Sequence, residues 1–220
     1  MAEKADEATE GHREASSPVV AMLGLGSIGL PVARVLVDGG YVVHGLDRSD
    51  ESCRVAAEHG VLTEELRADP AGVRIDALLC SLPGPQEVVE ALLDPREGPL
   101  SLLAPGGRVI DMTTNSPRVG RRLARRCADM GLTFVDAPVS EMPPNMVIMA
   151  GCDGSDSVVA QLFARMSRHV VYLGSPMAGY AAKLLHQYMF LSSLLAGAEA
   201  VRAADEFVVD GYLMVSIASE

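Results

Sequence analysis

"VVAMLGLGSIGLPVARVL", residues 19–36, decides how the rest of the chain is read. Its first part, Val19 to Leu25, is a short apolar run suited to a buried strand. Its last part places Ile28, Val32, Val35 and Leu36 at helical spacing. Between them stands "GLGSIG", in which Gly24, Gly26 and Gly29 fit GxGxxG, with Ser27 and Ile28 at the intervening positions. Glycines at a tight turn are common, and the motif alone says little. A strand before it and an amphipathic helix after it make it specific. In that setting backbone N–H groups at a helix N-terminus approach a pyrophosphate.

Further along, "YVVHGL" reads as a second strand and closes on Asp47, an acidic residue placed to accept hydrogen bonds from a ribose diol. A carboxylate there repels a 2′-phosphate, which favours NAD over NADP. The neighbouring Arg48 either stacks on the adenine or neutralises that phosphate, so both cofactors stay open. "DALLCSL", "RVIDMT", "LTFVDAPV", "VIMAG" and "VVYL" continue the strands. Helices are expected around Glu51 to His59, Gln86 to Leu93 and Pro117 to Met130. Strand and helix alternate, which predicts an α/β fold with a doubly wound, mostly parallel Rossmann sheet.

The chain has 220 residues, 49% of them apolar and 21% charged, as in an ordinary globular protein. A net charge of −11, with 4% aromatics and no Trp, argues against a nucleic-acid partner. Cys53, Cys80, Cys127 and Cys152 lack metal or CxxC spacing and read as reduced thiols, pointing to a cytoplasmic protein without a bound metal. No secretory signal opens the sequence. Residues 1–17, acidic and polar, are expected to be a disordered tail, residues 18–175 the dinucleotide-binding domain, and 176–220 a long helix with the start of a helical domain. His186, Gln187, Ser192 and Ser193 interrupt the apolar run after Lys183, which argues against a membrane span.

Five segments, in order, resemble the β-hydroxyacid dehydrogenases, whose members include 3-hydroxyisobutyrate dehydrogenase and to which the imine reductases are related. "GLGSIGLPVARVL" is similar to that family's opening GLGxMGxPMAxxL. Leu82-Pro83 in "CSLPGP" matches a Leu-Pro that lines the cofactor in such enzymes. "IDMTTNSP" resembles IDxSTxxP, with Thr113 in the serine position and Thr114 beside the nicotinamide ribose. "DAPVS", Asp136 to Ser140, begins like DAPVSGG. "GSPMAGYAAKLLHQ" is similar to GxxGxGxxxKxxNN and puts the family's catalytic lysine at Lys183.

The resemblance implies a small-molecule substrate, with Lys183 giving a proton to a carbonyl as hydride arrives, or assisting its removal from an alcohol. Desolvation lowers a lysine's pKa toward a useful range. The bland alternative is a lysine that snorkels from an interfacial helix or pairs with a structural carboxylate. Ser140 and Gln187 are the candidate substrate contacts; Ser140 equally suits a turn. His186 offers a second proton donor, though a histidine in such a place more often packs. His12, His44, His59 and His169 show no ligand spacing.

Departures from the pattern matter too. "SEMPPNMVIMAG" stands where the family has Ser-Gly-Gly and a longer glycine-rich stretch. Pro143 and Pro144 carry no N–H, and Glu141 repels an anion, so a carboxylate cradle at Ser140 is weakened. Met177 replaces a glycine. Family members continue through a helical domain, whereas this sequence reaches Glu220 after a short helix expected at Tyr212 to Ala218. Apolar residues such as Leu184, Leu185, Tyr188 and Leu191 cover most sides of the long helix, which predicts burial against a second copy, as a homodimer or larger assembly, or else against the remainder of a longer protein. Three functions follow: an oxidoreductase of small 3-hydroxy acids or related carbonyls, a reductase of C=N groups, and a degenerate cofactor-binding module.

Overall fold

The computed structural model describes residues 17–64, 73–94, 98–143, 145–207, 209–211 and 213. The expected tail before Ser17, Pro144 of the altered loop and most of the expected helix at Tyr212 to Ala218 lie outside them.

Five strands, β1 (Val20–Leu23), β2 (Val43–Leu46), β3 (Ile75–Cys80), β4 (Leu103–Asp111) and β5 (Thr133–Asp136), form one sheet in the order β2-β1-β3-β4-β5. Every pairing in it is parallel. An isolated parallel bridge from Leu62 to His44 marks a vestige of one more strand outside β2. Counting it, the order becomes 3-2-1-4-5-6, that of a dinucleotide-binding sheet. The chain reverses its winding between β1 and β3, and ligands bind at such a switch point, beyond the carboxyl ends of the strands.

Side-chain alternation explains the two-sided winding. Val20 and Met22 of β1 face one core with Ala77 and Leu79 of β3. Ala21 and Leu23 face the other with Leu78 and Cys80. Strands buried on both faces read as unbroken apolar runs, as "VVAMLGL" does. Helix α1 (Gly29–Asp38) covers the first face with Val32 and Leu36, and α2 (Asp50–Ala57) with Cys53 and Ala56. The opposite face is covered by Val88 and Leu92, from a short helix α3 (Pro85–Val88) that continues as a π-helical turn (Val89–Leu93). Helix α4 (Pro117–Asp129) adds Leu123 and Cys127 there, and a 3₁₀ turn (Pro99–Leu102) adds Leu100.

After β5 the structure departs from a single sheet. Strands β6 (Val139–Ser140), β7 (Val147–Ala150) and β8 (His169–Tyr172) form a separate sheet, antiparallel between β6 and β7 and parallel between β7 and β8. Pro138 accepts a hydrogen bond from the amide of Met149 but has no N–H of its own to give, so the chain turns here. Between β7 and β8 lies α5 (Ser157–Met166), a helix that the reading of strands passes over. Its signal is local: Asp156 accepts from the amides of Val158 and Val159, and Val159, Leu162, Phe163 and Met166 recur at helical spacing.

The chain then enters α6 (Ala178–Glu206), 29 residues long. Its first turns are buried at Gly179, Tyr180 and Lys183. Beyond them, Leu184, Leu185, Tyr188, Met189, Phe190, Leu191, Leu194 and Leu195 are 43–72% exposed. No helix among the described residues is long and apolar enough to cross a membrane.

Candidate functional site

A cleft of about 800 Å³ opens at the switch point, where the carboxyl ends of β1, β2 and β3 meet. Gly24, Gly26, Ser27 and Ile28 line it from the first turn, Asp47 and Arg48 from the end of β2, and Leu82 and Pro83 from the end of β3. Sequence reasoning missed six further lining residues: Leu23, Leu46 and Ser81 at the ends of β1, β2 and β3, and Glu90, Ala91 and Pro99 from the π-helical and 3₁₀ turns.

The three glycines do different work. Gly24 has φ +91°, and a Cβ there would lie 2.1 Å from the carbonyl oxygen of Ser81. A Cβ on Gly29 would strike the carbonyl oxygen of Gly24 at 1.8 Å. Gly24 thus lets the turn lie against the end of β3, and Gly29 lets it close on itself. Gly26 differs: a Cβ there meets nothing within 4 Å. The protein itself leaves room at Gly26, and the cleft is what the bare backbone faces.

Helix α1 begins beside it with no side-chain cap and no acidic residue in its first turn. By contrast α2, α4 and α5 are capped by Ser49, Ser116 and Asp156. The uncapped N–H groups and the positive end of the helix dipole suit an anion such as a pyrophosphate. The residues present therefore fit a dinucleotide.

Beside the glycine turn Asp47 is held by two backbone donors. Its Oδ2 accepts from the amide of Leu25 at 2.7 Å and its Oδ1 from the amide of Ser49 at 2.8 Å. A carboxylate at the end of the second strand is the group that takes up a ribose diol in a dinucleotide-binding sheet. Arg48 lies 3.6 Å from Glu90, both side chains well exposed. Thr113 is buried, and its Oγ1 accepts from the amide of Leu82 at 3.1 Å, so it joins the β3 and β4 loops. Thr114 is exposed.

Lys183 is 6% exposed and sits on the second turn of α6, and burial holds its pKa below the ordinary lysine value. Gln187, one turn on, is half-buried, whereas His186 is exposed. Ser140 is half-buried on β6, opposite Val147. Glu141 follows at φ +62° and Met177 stands at φ +70°, a region that favours glycine. Among the described residues no group of three or more His, Cys, Asp or Glu could hold a metal ion.

Two buried carboxylates were not marked as site residues by the sequence. Asp111, at the end of β4, accepts from the Tyr180 hydroxyl at 2.5 Å, from Asn115 Nδ2 at 3.0 Å and from the amide of Thr113 at 3.0 Å. Asp136, at the end of β5, accepts from the amides of Met177 at 2.8 Å and Tyr180 at 3.0 Å. Burial pushes both carboxyl pKa values up, and these hydrogen bonds oppose the shift.

The fold and the glycine turn define a dinucleotide-binding protein. The chain belongs to the family of the NAD binding domain of 6-phosphogluconate dehydrogenase, whose pattern matches residues 19–174. It is 30% identical over 211 residues to human mitochondrial 3-hydroxyisobutyrate dehydrogenase, covering 92% of this chain and 62% of that protein. The chain thus spans less than two thirds of that relative's length. A structure of Mycobacterium tuberculosis 3-hydroxyisobutyrate dehydrogenase with L-serine superimposes with a TM-score of 0.76 at 27% identity, over 88% of this chain and 67% of the other. An imine reductase from a Pseudomonas species shares the fold, with a TM-score of 0.76 at 21% identity over 92% of this chain and 72% of its own. Nicotinamide dinucleotide is the cofactor class of this domain.

Proposed function

We propose that the chain carries the cofactor site and the proton-transfer lysine of an oxidoreductase that moves hydride between NAD and a small 3-hydroxy acid or related carbonyl compound. The observation that carries this reading is Lys183 itself. Of the 18 basic residues only two are lysines, Lys4 and Lys183. Arginine serves wherever a permanent charge suffices, and at a buried place on α6 the chain keeps the cation that can release a proton.

A bound nicotinamide would supply or take up the hydride. Gly26 and the first turn of α1 would hold the pyrophosphate, and Asp47 the adenosine ribose. Leu82 and Pro83, which line the cleft, and Thr114 would flank the nicotinamide half. Lys183 Nζ donates a proton to the substrate oxygen in reduction and withdraws one in oxidation. Ser140 and Gln187 orient the substrate, with His186 at the margin. The test is a screen for oxidation of NADH and NADPH with small carboxylated aldehydes set against cyclic imines. Turnover of the aldehydes supports the reading, and turnover of imines alone transfers it to C=N reduction. Glu141 beside Ser140, together with Pro143, favours that second reading, because a carboxylate at the loop disfavours an anionic substrate.

Cofactor preference follows from charge. Asp47 and Glu90 place two carboxylates at the adenosine end, and Glu90 engages the only nearby guanidinium among the lining residues, Arg48. NAD is therefore preferred to NADP. Asp47→Asn keeps one acceptor for the backbone amides and removes the charge. NADH affinity should fall by about tenfold or more, since hydrogen bonds to charged groups are worth about 1.5–3 kcal/mol. NADPH affinity should rise, and fluorescence titration with both nucleotides measures the exchange. An unchanged ratio would remove Asp47 from the site.

In the same reading a second copy of the chain covers the exposed face of α6. Residues 184–198 contain no Asp, Glu, Lys or Arg, so two copies of a chain carrying −11 charges can meet there without local repulsion. Each buried Leu side chain stabilises by about 1.5–3 kcal/mol. Light scattering at micromolar concentration should report a dimer or larger, which polar replacements at Leu191 and Leu195 weaken. A monomer at all concentrations would contradict this.

A further inference from the structure

The first turn of α6 is clamped more firmly than a helix start requires. A helix begins with four N–H groups that lack intrahelical partners, and a single local side chain commonly caps one or two of them. Here the cap comes from β5, 41 and 44 residues away, through both oxygens of Asp136. A second tie runs from the Tyr180 hydroxyl to Asp111 at the end of β4. Asp111 is itself braced by Asn115 and the amide of Thr113.

Three glycines clear the space for this arrangement. A Cβ on Gly151 would lie 2.1 Å from Asp136 Oδ1, one on Gly179 would lie 2.3 Å from the carbonyl oxygen of Met149, and one on Gly120 would lie 2.5 Å from the Tyr180 ring. Met177 tolerates φ +70° at the same point, and its amide is one of the two that Asp136 holds. Left-handed backbone at a non-glycine persists where surrounding contacts over-determine it. Asp111 is fully buried and Asp136 nearly so. Burying two carboxylates is costly unless they are bonded and used.

We propose that Asp136 and the Asp111–Tyr180 pair are positioning residues that set the rotation and height of α6 and thereby place the Lys183 ammonium. Lys183 follows Tyr180 by three residues, which puts the two on one face of the helix. Two ties, one to the backbone of the first turn and one to a ring on its inner face, leave the helix neither free to roll nor free to slide. The inference rests on Lys183 being the proton-transfer residue, and its test is built to separate the two ideas.

With only two lysines, protein labelled with [13Cε]lysine gives one resonance for Lys183 and one for Lys4. The Lys183 resonance of the unaltered chain should stand apart from that of Lys4. Asp136→Ala should move it toward the Lys4 position and cut turnover by about 10²-fold, the scale of a misplacement near 1 Å, with NADH affinity within about twofold. Asp136→Asn, which keeps one acceptor oxygen, should recover part of both. Tyr180→Phe keeps the ring and removes only the hydroxyl; it should shift the resonance in the same direction and decides the matter if Asp136→Ala does not fold. A Lys183 resonance unmoved in folded Asp136→Ala or Tyr180→Phe would overturn the proposal. The resonance needs no substrate, so a shift without turnover in any variant would sustain the positioning role while removing the oxidoreductase reading.

Discussion

Gly26→Val leaves the fold intact and abolishes nicotinamide-nucleotide binding. Both halves of that outcome come from the open space around Gly26. A Cβ at Gly26 meets no protein atom within 4 Å, so the added side chain costs the folded chain little. Its position borders the cleft at the uncapped start of α1, where the pyrophosphate would lie. Holding the ligand away forfeits charge-assisted hydrogen bonds from backbone N–H groups, each worth about 1.5–3 kcal/mol. Losing two of them weakens affinity by about 10²–10⁴-fold. Circular dichroism and thermal melting should match the unaltered chain, while NADH titration shows no saturation. The same substitution at Gly24 or Gly29 behaves differently: it strikes backbone at 2.1 Å or 1.8 Å and should unfold the turn. A Gly26→Val chain that binds NADH normally would remove the turn from the cofactor site.

Lys183→Ala should lose about 10²–10⁴-fold in turnover, the range of general acid–base catalysis, while NADH affinity stays within about twofold. Lys183→Arg should fare nearly as badly, because a guanidinium keeps its charge and cannot give up its proton. The pH profile carries the sign. Burial lowers the Lys183 pKa, so its ammonium discharges at lower pH than an exposed lysine. In reduction the protonated form is needed, and the rate should fall as pH rises through that lowered pKa. In oxidation the neutral amine is needed, and the rate should rise over the same interval. Steady-state rates in both directions, measured across pH, check this. Arginine at full activity, or two profiles bending the same way, would contradict a proton-transfer role.

What the sequence makes legible is what lies close together along the chain. The strand, glycine turn and helix of residues 19–36 sit within one segment, and Asp47 closes the next strand. Period-two burial on two faces makes the strands continuous apolar runs, so the parallel sheet can be read directly. The same strand-centred reading passes over α5, although Asp156 and the spacing of Val159, Leu162, Phe163 and Met166 announce it. Long-range partners leave no such trace. Nothing near Asp136 says that its carboxylate caps a helix beginning at Ala178, and nothing near Arg48 points to Glu90. The division of labour among the glycines is also hidden, since the motif treats them alike and only the surrounding atoms tell them apart.

Isothermal titration of NADH and NADPH into the unaltered chain tests the central claim most directly, because the cleft, the glycine turn and Asp47 all converge on one dinucleotide. Saturable binding at one site per chain, tighter for NADH than for NADPH, is the expected result. No saturation with either nucleotide at millimolar concentration would contradict it.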